Sequence, residues 1–546
     1  MSTPQAAPRT IVIGGVAAGM SAATRLRRLD EDREIVVLER GEHVSFANCG
    51  LPYHVGGVIE DREALLLQTP ASLGARFRLD VRTGHDVVAI DRDARTVTAR
   101  LRSGEEVELG YDSLVIATGA SPIRPALPGA ERAHVLRDVA DVDRIVAAVA
   151  AGPRTAAIVG AGFIGVELAE NLALRGLDVT VVELADQVLP PLDVEMAALV
   201  RARLEENGVT VRTGAAATSV TETTLVLDDG SSVPADLLVM AVGVSPESRL
   251  ARAAGLETGE RGAVVVDEQQ RTSDPAIFAV GDVAVKRDAI GGGDAFVPLA
   301  QTANRHGRLV ADAITGRPVR SQPVLGTAIV GVFGLTAAST GWSERRARAA
   351  GRDVRVIHTH PSDHAGYYPG ARPMALKLVV DAATDEILGA QGVGEAGVDK
   401  RIDIVATAIR GGLHASDLAD LELAYAPQFG SAKDPVNMLG MIAENLASGL
   451  TRSVQWHELD AALAAGATLV DVRTPAEHER ESIPGAVNIP LDELRERHGE
   501  IGEGPVVVHC AVGQRGHSAA RLLAQLGHDD VRNLDGGVRT WSTATR

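Results

Sequence analysis

Short apolar runs recur along the chain, each closed by a glycine turn or a polar tip. Thr10-Ile11-Val12-Ile13 is followed by Gly14-Gly15-Val16-Ala17-Ala18-Gly19 and then by a helical pattern from Met20 to Leu29. The next apolar run, Glu34 to Leu38, ends in Glu39, twenty positions after Gly19. The same order returns in Ala156–Val159, Gly160-Ala161-Gly162-Phe163-Ile164-Gly165, a helical pattern from Val166 to Leu174, and Asp178–Val182 ending in Glu183. Short continuous apolar runs predict strands covered on both faces. Strand, glycine turn, helix, strand and terminal acid together make a nucleotide-binding unit. The glycines let backbone N–H groups approach a pyrophosphate at a helix N-terminus, and the acid can accept from a ribose hydroxyl. The second copy carries all three glycines. The first departs from the pattern, with Val16 at the second glycine position.

Further apolar runs end in turns with chemistry. Tyr111–Ala117 runs into Thr118-Gly119, and Thr272–Val280 into Gly281-Asp282. Beyond a short polar stretch, Ala447 to Ser453, the alternation changes character. Ala467–Arg473 is a strand with a polar tip, and Pro505–His509 is an apolar strand leading into Cys510 before a helix from Ser518 to Leu526. The expected class is α/β.

The 546 residues allow three or four folding units, each able to bury a core. A net charge of −18 argues against general affinity for nucleic acid or anionic membranes, while leaving room for a local basic pocket. No run is long and apolar enough to span a bilayer. Met1 to Arg9 is polar and lacks a signal-peptide core. The expectation is a cytoplasmic protein without a disulfide framework, since only two cysteines are present.

Both cysteines lie in loops suited to sulfur chemistry. Cys49 sits in Ser45-Phe46-Ala47-Asn48-Cys49-Gly50-Leu51-Pro52-Tyr53, with no second cysteine nearby to resolve it. A lone active cysteine must pair with an outside thiol or cycle through sulfenic acid. Cys510 sits in His509-Cys510-Ala511-Val512-Gly513-Gln514-Arg515, between a strand and a helix start. There the helix dipole and Arg515 favour an anion and lower a thiolate's pKa. A cysteine phosphatase also places His-Cys, glycine and Arg in such a cradle, but with five residues between Cys and Arg. Here four intervene, which suits a persulfide sulfur better than a phosphate.

From Thr10 to about Asn445 the chain resembles the flavoprotein disulfide reductases with two dinucleotide-binding domains, and the Cys49 segment resembles the coenzyme A disulfide reductases among them. The resemblance implies FAD at Gly14, Gly19, Glu39, Thr118, Gly119, Asp282 and Pro298, and NADH at Gly160, Gly162, Gly165 and Glu183. Glu183 would repel a 2′-phosphate, and no Arg or Lys from Leu184 to Val188 could receive one, so NADH is expected over NADPH. Cys49 would form a mixed disulfide with coenzyme A (CoA). Ser21, Arg25 and Arg28 share one face of the first helix at i, i+4, i+7. By resemblance they bind CoA, with Ser45 and Asn48 at the sulfur end and Asn304 and Lys433 as further contacts. Gly326 to Asn445 resembles a dimerisation domain that would bring Tyr367 and Tyr425 beside the active cysteine across a homodimer interface, with Tyr368 adjacent. A phenol there could protonate a departing thiolate.

Residues 454–546 resemble a single rhodanese domain, through Cys510 and its loop and through Asn533-Leu534-Asp535-Gly536-Gly537-Val538 with Trp541. The implied layout is FAD-binding at 1–150 and 271–325, NADH-binding at 151–270, an α+β dimerisation domain at 326–446, a linker at 447–453 and an α/β rhodanese domain at 454–546. The fusion implies NADH-dependent reduction of CoA persulfide or polysulfide, with Cys49, Tyr367, Tyr425, Cys510 and Arg515 catalytic and no metal. Three alternatives stay open: a CoA-disulfide reductase with a separate sulfurtransferase activity, an NADH oxidase or peroxidase using a Cys49 sulfenate, and a redox sensor or sulfur carrier without turnover.

Overall fold

The computed structural model describes residues 7–259 and 261–545; the start of the polar N-terminal stretch, residues 1–6, lies outside them. The chain forms two compact units, Met1–Leu184 with Gly208–Gly326, and Ala185–Asn207 with Thr327–Arg546.

The first unit is built on two parallel sheets. One has strand order Ile277–Ala279, Ser113–Ile116, Arg9–Ile13, Glu34–Glu39, Asp80–Thr83. The other runs Thr210–Arg212, Asp178–Val182, Thr155–Val159, Leu237–Met240. Parallel strands need crossovers that cover the sheet faces, which is why the central runs are apolar throughout. Ile11, Val12, Val36, Val37, Ile158 and Val181 are all fully buried. Helix Ala17–Leu29 packs against helix Ala300–Ile314. A Cβ on Gly307 would lie 2.2 Å from the Ala18 carbonyl oxygen, so the two backbones can meet only at glycine.

Three helices start earlier than periodicity predicts, at Ala17, Phe163 and Gln514 rather than at Met20, Val166 and Ser518. The last residues of each turn are already helical, so the first-turn N–H groups open onto the turn itself.

In the second unit an antiparallel sheet orders Ala328–Val332, Leu335–Gly341, Ile387–Gly394, Met374–Asp381, Val354–Thr359. Helices Val398–Gly411 and Pro435–Ala447 cover it through Ile402, Val405, Val436 and Leu439. Asp434 and Asn437 close a capping box at the start of the second helix. A parallel sheet follows in the order Arg452–Val454, Val531–Leu534, Val506–His509, Thr468–Asp471, Val487–Asn488.

Two boundaries differ from the sequence expectation. The linker expected at 447–453 is shorter, because Ala447 ends a helix and Arg452 and Ser453 pair with Arg532 and Asn533. Helix Val194–Glu206, inside the range expected for NADH binding, belongs to the second unit.

Candidate active sites

The two glycine turns of the first unit are near copies. Gly14 and Gly160 have φ of +104° and +103°. A Cβ on them would lie 2.3 Å from the Ala117 oxygen and 2.4 Å from the Ala241 oxygen. Gly19 and Gly165 are excluded from any larger residue by the carbonyls of Gly14 and Gly160, at 1.9 and 2.0 Å from an added Cβ. Gly162, at the helix N-cap, has an ordinary φ of −75° and open space around it, so what it leaves is room for a ligand. Val16 occupies the same place in the first turn. Both terminal acids face the turns. Glu39 accepts from Gly15 N at 2.8 Å and Gly41 N at 2.7 Å, and Glu183 from Ala161 N at 2.6 Å.

Thr118 and Gly119 lie at the end of strand Ser113–Ile116. Thr118 Oγ1 donates to the Glu247 carbonyl at 2.7 Å, and Arg137 donates to the Thr118 carbonyl at 3.0 Å. Asp282 Oδ1 is buried and has no hydrogen-bond partner among the described residues. Burial pushes its carboxyl up, against the pull of Lys286 and Arg137. Lys286 is buried, donates to the Gly281 carbonyl at 2.6 Å, and is pushed down by burial to about 8. His306 is buried with Nδ1 unpartnered and is pushed down by burial to about 4, so it is neutral. An orphaned carboxylate beside a glycine turn fits the hydroxyls of a dinucleotide. Pro298 is exposed, just ahead of helix Ala300–Ile314. Arg137, Lys286 and His306 carry no motif and escaped the sequence reading.

Cys49 is exposed in a tight turn, Asn48–Gly50, ahead of the short helix Leu51–Gly56. Ser45, four residues earlier, is held in the left-handed region at φ +49°, its N–H donating to the Gly15 carbonyl. A strained non-glycine residue beside a reactive side chain is one mark of a functional site. Asn48 Nδ2 donates to the Arg137 carbonyl at 3.2 Å. Burial of its inner side and the charge of Glu167 push the Cys49 thiol up. Glu167 accepts from the Tyr53 hydroxyl at 2.9 Å.

The packing of the first and Ala300–Ile314 helices joins the CoA candidates. Ser21 Oγ meets Asn304 Oδ1 at 2.6 Å, and Arg25 clasps Asp312 at 2.9 and 3.2 Å. Arg25, Arg305, Arg308, Arg317 and Arg320, with Asp312, line a cavity of about 740 Å³. Of these five arginines the sequence reading had named only Arg25. Arg28 is not on this cavity. It is exposed and lies over the Phe77 ring at 5.9 Å, although it shares the Ser21 face of the helix.

In the second unit, Tyr367 and Tyr425 are brought together, their hydroxyls 3.0 Å apart. The Ala365 N–H, donating to the Pro427 and Gly430 carbonyls, ties their two loops. Tyr367 is 76% exposed, and Tyr368, Tyr425 and Phe429 are exposed beside it, although aromatics make up only 3% of the chain. Such a patch marks an interaction surface. Lys433 is exposed next to the Asp434 cap.

Cys510 is buried, and Gly513 N donates to its sulfur at 3.2 Å. Arg515 does not stand free at the thiol. Glu477 holds its guanidinium through two bonds, at 2.7 and 2.8 Å, so most of its charge is met before any substrate arrives. Glu477 in turn caps its own helix with Thr474, which is why sequence spacing alone could not reveal the pairing. His509, directly before the cysteine, is buried, neutral and pushed down by burial to about 4. Elsewhere in this unit Asp193, Glu195 and Glu344 converge, and the Lys377 ammonium lies among them.

Two glycine turns with acid-tipped strands, a lone exposed cysteine beside one of them and a buried loop cysteine define a pyridine-nucleotide-dependent flavoprotein joined to a sulfur-handling module. The chain belongs to the pyridine nucleotide-disulphide oxidoreductase family, whose model matches residues 8–308, with the family's dimerisation domain at 327–435 and a rhodanese-like domain at 455–544. The family uses FAD and NAD(H). The chain is 44% identical to reduced CoADR-RHD from Bacillus anthracis, covering 99% of each chain, with a TM-score of 0.97. It is 40% identical to an NAD-dependent persulfide reductase from A. fulgidus, over 98% of this chain and 100% of that one, with a TM-score of 0.92. It is 32% identical to the coenzyme A disulfide reductase of Staphylococcus aureus (strain JH9), over 80% of this chain and all of that protein. Among the described residues no helix is long and apolar enough to cross a membrane.

Proposed function

We propose that the protein uses NADH to reduce persulfides and disulfides of CoA, with Cys49 bonding the acceptor sulfur and Cys510 carrying sulfane sulfur. One observation carries this reading: Cys49 is exposed without a resolving cysteine, and the only other cysteine lies in the rhodanese loop. An internal dithiol cycle is therefore closed to Cys49, and its disulfide partner must come from the substrate.

Gly14, Gly19, Glu39, Thr118, Gly119, Asp282 and Pro298 would hold FAD, with Asp282 taking a ribityl hydroxyl. Gly160, Gly162, Gly165 and Glu183 would hold NADH. Bound FAD supplies a relay for the electron pair between NADH and sulfur. The arginine cavity matches the phosphates of CoA, and Ser21, Arg25 and Asn304 lie along its approach, with Arg28, Ser45, Asn48 and Lys433 as outer contacts. The Cys49 thiolate attacks the CoA-bearing sulfur of CoA persulfide, forming a mixed disulfide and releasing hydrosulfide. Two electrons then break that disulfide into the Cys49 and CoA thiolates. In a homodimer, the partner's Tyr367 and Tyr425 would donate a proton to the departing thiolate. Separately, the Cys510 thiolate would attack the outer sulfur of a persulfide donor R–S–SH, breaking its S–S bond to leave R–S⁻ and form the Cys510 persulfide, with the Gly513 N–H on the sulfur.

Anaerobic NADH oxidation with CoA persulfide, CoA disulfide and, separately, oxygen tests this, comparing kcat/KM. Preference for the persulfide with sulfide release supports it. Preference for the disulfide makes CoA recycling the main activity. Oxygen as the best acceptor refutes it.

A further inference from the structure

The Glu477 carboxylate takes no part in the sulfur step above, yet it holds the charged side chain that ends the Cys510 loop. Between Cys510 and Arg515 stand Ala511, Val512, Gly513 and Gln514, none of them charged. Arg515 reaches the Cys510 sulfur and also donates to Glu477 Oε1 at 2.7 Å and Oε2 at 2.8 Å. Glu477 Oε2 accepts in addition from Thr474 N and Thr474 Oγ1, each at 3.0 Å. Four hydrogen bonds therefore fix this carboxylate, which separates it from a loose surface ion pair. The Arg515 guanidinium holds its carboxyl down to about 2, so it is ionised near neutral pH. The strand beside His509 adds no free cation through Arg473, which pairs with Asp471 at 2.7 Å; His478 meets the same carboxylate at 2.9 Å. His509 itself is neutral.

Sulfur donors differ in charge. Thiosulfate is a dianion, whereas a persulfide carries at most one charge on its sulfurs. A fixed carboxylate repels a dianion about twice as strongly as a monoanion at the same place. We propose that Glu477 sets the donor specificity of Cys510: by sharing the charge of Arg515 it disfavours dianionic thiosulfate and leaves persulfides as the class the loop accepts. In either transfer the Cys510 thiolate attacks the outer sulfur of the donor and forms a new S–S bond there. The donor's own S–S bond breaks, and its electron pair leaves on sulfite in one case and on the thiolate R–S⁻ in the other. The attacking thiolate is common to both reactions. Any effect of Glu477 on its ionisation therefore cancels in the ratio of the two rates, and the donor's charge is what remains. This rests on Cys510 being the sulfur carrier.

The test is the rate at which the Cys510 peptide gains one sulfur atom, read by mass spectrometry after rapid quenching of the holoenzyme without NADH. The donors are 2-hydroxyethyl persulfide, thiosulfate and methanethiosulfonate, in which a methyl group replaces one anionic oxygen of thiosulfate. Wild type should load from the persulfide roughly tenfold faster than from thiosulfate or more. Glu477→Gln keeps an acceptor for Thr474 and removes the charge. It should raise loading from thiosulfate roughly tenfold relative to the persulfide, and by a similar factor relative to methanethiosulfonate. Ratios that stay at the wild-type values, or wild type that takes thiosulfate as fast as the persulfide, overturn the proposal. Should Glu477→Gln fail to fold, Glu477→Asp decides. The shorter acid cannot span the two-bond clasp, so the thiosulfate ratio should rise in the same direction by less, and no rise overturns the proposal. Cys510 that gains sulfur from none of the three donors would defeat the carrier role and the proposal with it; a loaded Cys510 with unmoved ratios defeats the proposal alone.

Discussion

His358 joins three parts of the second unit, and replacing it should loosen the rhodanese module in a pH-dependent way. Its side chain is 2% exposed. Nδ1 meets Asp535 Oδ2 at 2.7 Å, Nε2 meets Glu195 Oε1 at 2.9 Å, and its backbone N–H also donates to Asp535. Burial opposes the imidazolium, but the Asp535 and Glu195 carboxylates outweigh it and raise His358 to about 9. The ordinary value is 6.5. Because the folded value is the higher, the contribution is complete below pH 6.5 and is lost as pH rises through 9. The difference corresponds to about 3 kcal/mol at 1.36 kcal/mol per unit. At 2–4 °C per kcal/mol in a unit of this size, His358→Ala should melt roughly 6–12 °C below wild type at pH 6.5. By pH 9.5 the wild type has lost the same contribution, and the gap should close to whatever the side-chain cavity costs. Differential scanning calorimetry of both proteins at the two pH values reads this directly. Melting curves that stay parallel from pH 6.5 to 9.5 would refute a charged latch.

Other substitutions separate the two sulfur centres. Cys510→Ser should abolish transfer of sulfane sulfur to cyanide while NADH-dependent reduction of CoA disulfide stays within about twofold, checked by paired assays. Replacing Arg305 and Arg308 with alanine should raise KM for CoA substrates about tenfold, the loss expected for one or two phosphate contacts, with little change for an uncharged disulfide. Gly165→Ala puts a methyl 2.0 Å from the Gly160 oxygen, so NADH should no longer bleach the flavin at a comparable rate, while stopped-flow reduction by dithionite stays normal.

What could be read without the structure was whatever a local steric rule imposes. Gly14, Gly19, Gly160 and Gly165 each exclude a Cβ because of a carbonyl five residues away or just past the end of the adjoining strand, so their spacing announces them. Cys49 and Cys510 stand out because no other cysteine dilutes them. The missed residues depend on long-range approach. Arg308, Arg317 and Arg320 are ordinary surface charges in sequence and become a phosphate-sized cavity only when Gly307 lets its helix reach Ala18. Glu167 and Tyr53 lie on separate helices more than one hundred positions apart, and neither periodicity nor motif couples them. Helix Val194–Glu206 carries a pattern that suits any covering helix; Glu195 settles its allegiance by pairing with His358 and Lys377.

The rhodanese loop meets its sulfur differently from the Cys49 site, where burial and the Glu167 charge oppose a thiolate. An anion on Cys510 would gain from a free cation, and Arg515 was the residue expected to supply it. Glu477 shares that charge through a bidentate pair, although Arg515 still reaches the Cys510 sulfur; His509 is neutral, and Ala511 and Val512 bring no charge at all. Backbone dipoles add to what Arg515 leaves for the sulfur, beginning with the Gly513 N–H and the opening turn of helix Gln514–Gln525. Those dipoles work only if the loop keeps its shape, and two glycines fix it. Gly513 has φ +95°, and Gly537, at φ +64°, lies so close that a Cβ would be 2.5 Å from the Cys510 oxygen. Asp535, two residues before Gly537, is the carboxylate that His358 holds. The residues beside the sulfur-binding loop are thus tied to strand Val354–Thr359 through the His358 backbone and imidazole and through His360, which meets Thr540 Oγ1 at 2.8 Å.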